Sequence, residues 1–177
     1  MRHTDRCCQG PLVGERQSSA AITTQYANAD PVYRIKTAAL PAKYAYFRTC
    51  RGDGHCGWRG ELSMQLVASK LLPLTRPAIA FTYFEALLRL GDGQRFADEE
   101  GRLTSMANLL DNIGYHRDIW IDFADEAYEL LRKLGSSVDA MDGTGPDILL
   151  QAFNDQSTSM SIITYFKVSS NYRRFID

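Results

Sequence analysis

The sequence has no apolar run long enough to cross a membrane, and no apolar segment follows its first residues, Met1–Arg6. A membrane-spanning helix needs about 20 consecutive apolar residues, and a secretory signal has an apolar core behind its basic start. We therefore expect a cytoplasmic protein, with the nucleus as a second compartment, and no membrane partner.

Positive charge is also scarce. Lys and Arg number 20 against 21 Asp and Glu, so the formal net charge is −1, and this balance gives no support for a nucleic-acid partner. Residues 1–60 hold nine basic against four acidic side chains, whereas residues 92–129 hold ten acids against three arginines. The acidic stretch is either a solvated helix face, which we favour, or a surface for a basic partner.

Paired metal-ligand spacings are absent. The four cysteines form no C-x-x-C pair, and the expected reducing compartment argues against a disulfide framework. Cys50, His55 and Cys56 lie close together in sequence, but no fourth ligand has a suitable spacing. We therefore predict neither a metal site nor a cofactor.

The patterns that are present predict a mainly helical chain of one domain. We expect two short helices within residues 15–40, broken at Asn28–Pro31, and longer helices over 78–90 and 118–134, each ended by a glycine. Residues 136–145 are predicted to be a polar linker, and Pro146 to lie in the first turn of a new helix. Residues 148–153 and 160–168 form two further apolar segments.

The most unusual segment is the glycine-rich turn Arg51–Gly57. A cysteine at the start of a helix gains thiolate character, and Cys56 has that place. Backbone N–H groups of residues 53–56 could converge on an oxyanion, with Asp53 bracing the turn as an Asx turn. The alternative is a glycine loop with an unreactive thiol, and spacing alone favours that alternative.

Asp53–Arg59 resembles the nucleophile motif D-G-x-C-x-aromatic-R of otubains, which are cysteine proteases that hydrolyse ubiquitin conjugates. Residues 11–16, followed by Tyr33 and residues 43–46, are similar to the otubain leader, and residues 149–159 are similar to a downstream block. Because the three matches occur in the family's order, the sequence is identified as a member of the otubain family. A purely structural helical protein would explain neither the turn nor the ordered matches.

This resemblance implies a papain-like OTU fold of the α/β (α+β) class, of which the chain carries mainly the helical N-terminal part. It implies a deubiquitinating cysteine protease with Cys56 as nucleophile and Asp53 as the second catalytic position. Gly54 and His55 would belong to the oxyanion loop. The implied partners are ubiquitin or polyubiquitin conjugates and, as an alternative, a ubiquitin-conjugating enzyme.

The sequence departs from the family in its histidines. Otubains place a general-base histidine late in the domain, whereas no histidine here lies beyond His116. His3 falls in a predicted disordered tail, and His55 adjoins the nucleophile along the chain. We expect no catalytic histidine in this chain and weak or no hydrolysis. The alternative function is a non-catalytic pseudoenzyme fragment that binds ubiquitin or a conjugating enzyme.

The predicted domain organisation is a disordered tail over 1–10 and a partial otubain domain over 11–177. The resemblance ends soon after Ser169 and Ser170, without the strands that complete the fold. We therefore expect apolar side chains of the last segment to be exposed, which would make the chain poorly soluble or dependent on a partner. These side chains are Ile162, Ile163, Tyr165 and Phe166.

A second departure is the segment 60–77, because joining Arg59 directly to Ala78 restores the otubain pattern. Our hypothesis is a retained intron or an error in the gene model. The alternative is a surface insertion in which Leu62, Leu66 and Val67 form a helix that Pro73 and Pro77 end.

If the hypothesis holds, transcript sequencing is expected to detect messages in which the codons for 60–77 are spliced out. Transcripts that always encode these residues would contradict it.

Overall fold

The computed structural model describes residues 10–59, 62–64, 79–112 and 116–172. It divides into two compact units, one up to residue 78 and one from residue 79 onwards. Within the described residues no helix is both long enough and apolar enough to cross a membrane. Apart from Gly10, the predicted tail lies outside the described residues.

The first unit contains short helices and a small antiparallel sheet. Its elements in chain order are β1 (Gln17–Ser18), α1 (Ala20–Gln25), α2 (Pro31–Ala38), α3 (Leu40–Lys43), β2 (Tyr44–Phe47), α4 (Cys56–Arg59) and β3 (Leu62–Met64). Strand β2 lies between β1 and β3. Residue Phe47 pairs with Gln17 on one side and with Leu62 on the other.

The two short helices predicted within residues 15–40 are confirmed as α1 and α2. The break between them has a local cause, because the Asp30 carboxylate accepts a hydrogen bond of 2.9 Å from the Val32 N–H and caps α2. Pro31 follows in the first turn, where its missing N–H costs no helical hydrogen bond.

The interpretation of the insertion's first part as a helix is wrong for residues 62–64, which form strand β3. Local spacing favoured a helix, but β2 offers an edge whose backbone groups pair with β3, and such tertiary pairing overrides local preference. Leu66, Val67 and the rest of the predicted helix lie outside the described residues.

All the secondary-structure elements of the second unit within its described residues are helices. It contains α5 (Ile79–Leu90), α6 (Gly93–Asn112), α7 (Arg117–Ala140), α8 (Gly145–Asn154) and α9 (Gln156–Tyr172). Helix α7 packs against α6, α8 and α9, and α5 packs against α8 and α9. The predicted helix over 78–90 is confirmed from residue 79, and its glycine stop is Gly91, which has a φ of +64°.

Aromatic rings fill the core of this unit. Phe81 and Phe153 meet edge to face with ring centroids 5.1 Å apart, and Phe166 lies 5.9 Å from Phe84. The Tyr165 hydroxyl donates to the Leu103 carbonyl over 3.1 Å. These contacts join α5, α6, α8 and α9.

The expectation that the last segment would expose its apolar side chains is wrong. Ile162, Ile163 and Tyr165 have no exposed surface, and Phe166 is 9% exposed. They are buried because α9 packs against the other four helices of the unit.

Helix α7 continues to Ala140, beyond its predicted last residue Leu134, so Gly135 does not end it and residues 136–140 are not part of a linker. The helix ends at Met141, which has a φ of +52°. Gly135 serves close packing here, because a Cβ at this position would lie 3.1 Å from the Phe96 Cβ. The predicted helix start at Pro146 is confirmed, since Pro146 lies in the first turn of α8.

Gly135→Val is expected to lower the free energy of unfolding by about 1–3 kcal/mol, because the added isopropyl group overpacks the contact with Phe96. Chemical unfolding monitored by circular dichroism measures the change. The control is Gly101→Ala on α6, where a Cβ would meet nothing within 4 Å. A Gly135→Val protein as stable as the parent would contradict this account.

Candidate active site at Cys56

Cys56 is the first residue of α4, a helix of one turn, and it is exposed. The preceding turn is closed by its own backbone. The Asp53 N–H donates to the Arg51 carbonyl over 3.0 Å, and the Trp58 N–H donates to the His55 carbonyl over 2.9 Å. Gly54 has a φ of +83°, a conformation that side-chain-bearing residues rarely adopt. The turn therefore presents the Cys56 thiol to solvent on a folded loop.

The predicted Asx turn is present, since the Asp53 Oδ1 accepts a hydrogen bond of 3.0 Å from the His55 N–H. This contact concerns the predicted oxyanion loop, because the His55 N–H donates to Asp53. The Asp53 N–H is also bonded, since it donates to the Arg51 carbonyl. In the described part of the chain, the N–H groups of Gly54 and Cys56 have no such acceptor. The oxyanion loop of Gly54 and His55 stays a prediction.

The other carboxylate oxygen of Asp53, Oδ2, forms an ion pair with Arg59 Nη1. The Arg59 side chain is fully buried, and that of Asp53 is 20% exposed. Burial tends to raise the pKa of Asp53, but the hydrogen bond from His55 and the Arg59 guanidinium outweigh it and hold the pKa below its usual value. Asp53 is therefore ionised at neutral pH, and it connects the turn to the end of α4.

Cys50 is a second thiol near this turn. Its place in the sequence suggested only a metal ligand. It forms an isolated antiparallel bridge with Val13 and is half-buried. Burial, together with the negative charge of a Cys56 thiolate, raises the pKa of Cys50 to about 11. Cys50 is therefore a neutral thiol at physiological pH, which leaves Cys56 as the candidate nucleophile of the two cysteines that the structure describes.

Two of the three histidines lie within the described residues. His55 is half-buried within the turn, and His116 is an exposed residue directly before α7. His116 makes no side-chain capping bond to the helix. Among the described residues there is also no cluster of three or more metal-ligating side chains.

The chain matches a known protein family over most of its length. The family model described as Peptidase C65 Otubain matches residues 5–67 and 77–173. The chain belongs to the otubain family. The unmatched residues 68–76 fall within the predicted insertion, whereas its first part is matched, so the bounds 60–77 stay a prediction.

Curated relatives agree with this assignment. The chain is 29% identical over 161 residues to human ubiquitin thioesterase OTUB1, a match that covers 90% of this chain and 49% of that protein. It is 25% identical over 158 residues to human ubiquitin thioesterase OTUB2, covering 82% of the chain and 55% of that protein. The chain thus spans about half the length of the curated relatives it matches.

Solved structures share the fold. A complex of ceOTUB1 with ubiquitin aldehyde and UBC13~Ub superposes with a TM-score of 0.67 at 20% identity, covering 98% of this chain and 64% of that chain. A complex of h/ceOTUB1 with ubiquitin aldehyde and UBCH5B~Ub gives 0.65 at 21% identity, covering 96% and 60%. The helices and small sheet are therefore part of an α+β OTU fold, as predicted.

The structure gives Arg59 a role that the sequence analysis did not assign. The signal was present, since Arg59 closes the motif six residues after Asp53, but no buried cation was expected there. In the fold, Arg59 is the partner of Asp53, and the pair connects the two ends of the segment that carries Cys56.

Asp53→Asn is expected to lower the free energy of unfolding by about 1.5–3 kcal/mol at neutral pH, because the buried Arg59 loses a charged hydrogen-bond partner. The loss is expected to shrink as the pH falls through the lowered pKa of Asp53, since the parent then protonates the same carboxylate. Urea unfolding at several pH values measures both effects.

The matched control is Glu129→Gln, which makes the same chemical change in the exposed pair with Lys133. This variant is expected to keep the parent's unfolding midpoint. Equal destabilisation by both substitutions would contradict the assignment of a special role to Asp53.

Proposed function

We propose that this chain acts on ubiquitin conjugates as a thiol-dependent ubiquitin hydrolase with Cys56 as nucleophile. The observation that carries the proposal is an exposed cysteine at the start of α4, held by the Asp53–Arg59 pair, in a chain of the otubain family. The curated relatives have the name ubiquitin thioesterase, which supports a ubiquitin-linked carbonyl as the substrate.

The reaction would begin with attack of the Cys56 thiolate on the carbonyl carbon of the ubiquitin C-terminus. The N–H groups of Gly54 and Cys56 would donate to the developing oxyanion, because the turn leaves them without acceptors. Collapse of the tetrahedral intermediate would release the leaving group and give an acyl-enzyme, which water then hydrolyses. Asp53 would act by holding the turn.

The leaving group decides how much general acid the reaction needs. An isopeptide releases an amine, which must be protonated as it departs, whereas a thioester releases a thiolate, which needs no proton. We assign the role of general acid to neither His55 nor His116, the two histidines that the structure describes. We therefore propose that the chain cleaves ubiquitin thioesters more readily than isopeptides.

A second candidate function is binding of ubiquitin or of a ubiquitin-loaded conjugating enzyme without cleavage. The specific observation in its favour is that the similar solved structures are complexes with UBC13~Ub and UBCH5B~Ub. Binding of this kind would need no reaction at Cys56.

The test uses ubiquitin that carries a thiol-reactive group at its C-terminus. We expect a covalent adduct at Cys56, located by peptide mass spectrometry, and none with Cys56→Ala. The control Cys50→Ala is expected to retain the adduct, because Cys50 is a neutral thiol. Failure of the parent chain to react would contradict the hydrolase proposal.

The binding alternative is measured on the same proteins. Retention of labelled ubiquitin by Cys56→Ala, with no adduct in the parent, would favour the non-catalytic function. Adduct formation together with faster cleavage of a ubiquitin thioester than of an isopeptide-linked dimer is the outcome expected for the hydrolase.

A further inference from the structure

Residues 10–14 run alongside residues 48–50, which lead into the glycine-rich turn Arg51–Gly57. We name residues 10–14 the strap and residues 51–57 the nucleophile turn. The Gly14 N–H donates to the Thr49 carbonyl over 2.8 Å, and Val13 forms its antiparallel bridge with Cys50. The Arg48 guanidinium donates from Nη1 to the Gly14 carbonyl over 3.1 Å. The strap is therefore attached to residues 48–50 by backbone and side-chain contacts.

The strap is also packed tightly against this segment. Leu12 is 3% exposed and Val13 is 1% exposed, and they are the buried apolar side chains of the first unit within the described residues. At Gly14 a Cβ would lie 2.4 Å from the Thr49 Oγ1 and 3.2 Å from its carbonyl oxygen. A side chain at this position would therefore force the strap or Thr49 to move.

Arg51 connects the strap to the turn through three of its groups. Its N–H donates to the Leu12 carbonyl over 3.1 Å. Its guanidinium donates to the Gly10 carbonyl from two nitrogens, from Nε over 3.0 Å and from Nη2. Its own carbonyl accepts the 3.0 Å hydrogen bond from the Asp53 N–H. One residue is thus bonded to the strap on one side and to the nucleophile turn on the other.

We propose that the strap positions the nucleophile turn, and that Arg51 is the positioning residue that couples it to Cys56. The path runs from the strap to Arg51, from Arg51 to Asp53, and from Asp53 to both His55 and Arg59. The inference rests on the proposed function only in that it takes Cys56 as the reacting group.

Positioning is the expected contribution because the strap brings no reactive group to the thiol. A nucleophile that is misplaced by about 1 Å loses roughly a hundredfold in rate, even when substrate still binds. Loosening the strap should therefore slow the chemical step at Cys56 and leave the affinity for ubiquitin unchanged.

The experiment compares two substitutions at the contact with two matched controls elsewhere in the chain. Arg51→Ala removes the guanidinium from Gly10, and its control is Arg34→Ala, on the exposed side of α2. Gly14→Ala disturbs the strap, and its control is Gly101→Ala, where the added Cβ is unobstructed. Arg51→Lys keeps the charge with a single donor group and is expected to recover part of the loss.

Two readouts are measured for each variant. The first is reaction with the ubiquitin probe, separated into the maximal rate of adduct formation and the probe concentration at half-maximal rate. The second is amide hydrogen exchange of residues 51–59 in the absence of probe. We expect Arg51→Ala to lower the maximal rate roughly tenfold or more with the half-maximal concentration unchanged, and amide exchange to be about tenfold faster.

Unchanged amide exchange and an unchanged maximal rate in Arg51→Ala would overturn the inference. So would an equal fall in all variants, or a fall that follows a lower unfolding temperature. If the parent chain fails to react with the probe, the proposed function fails, and the exchange readout alone decides the inference on the strap. Faster exchange confined to Arg51→Ala and Gly14→Ala would support it.

Discussion

The first unit depends on one interaction, the ion pair between Asp53 and Arg59. A guanidinium with no exposed surface has lost its hydration, and a nearby carboxylate must compensate for that loss. The same carboxylate accepts the N–H of His55, so the pair fixes the turn before Cys56 and the helix after it together. The spacing of the motif follows from this geometry. Arg59 lies six residues after Asp53, at the end of the one-turn helix α4, and this separation lets the two side chains meet.

Much of the fold could be predicted from local patterns. The helices that begin at Pro31 and near Pro146 have start signals within a few residues, and α5 ends at a glycine with a left-handed backbone. Gly135 shows where such rules fail, because the approach of Phe96 from another helix, and not a helix end, explains the glycine. The prediction of a helix at residues 62–64 was wrong for the same reason, since strand β3 forms there by pairing with β2.

The candidate site divides in the same way. Cys56 and Asp53 could be predicted because the motif that contains them is continuous in sequence, and the Asx turn joins residues two apart. The contributions of Arg51 and Gly14 could not, because their partners lie 41 and 35 residues away along the chain, at Gly10 and Thr49. A motif thus indicates the candidate nucleophile, whereas long-range hydrogen bonds determine what holds its turn in place.

The uneven distribution of buried apolar side chains affects how the gene can change over time. Within the described residues, Leu12 and Val13 are the buried apolar side chains of the first unit, and all the others belong to the second. Substitutions around Cys56 therefore remove little of the apolar burial that keeps a chain folded. Selection for folding alone would preserve the helices of the second unit and, in the first, the Asp53–Arg59 pair, because loss of Asp53 removes the carboxylate that pairs with a buried guanidinium. The Cys56 thiol is exposed and takes no part in that pair, so selection for folding alone would not retain it.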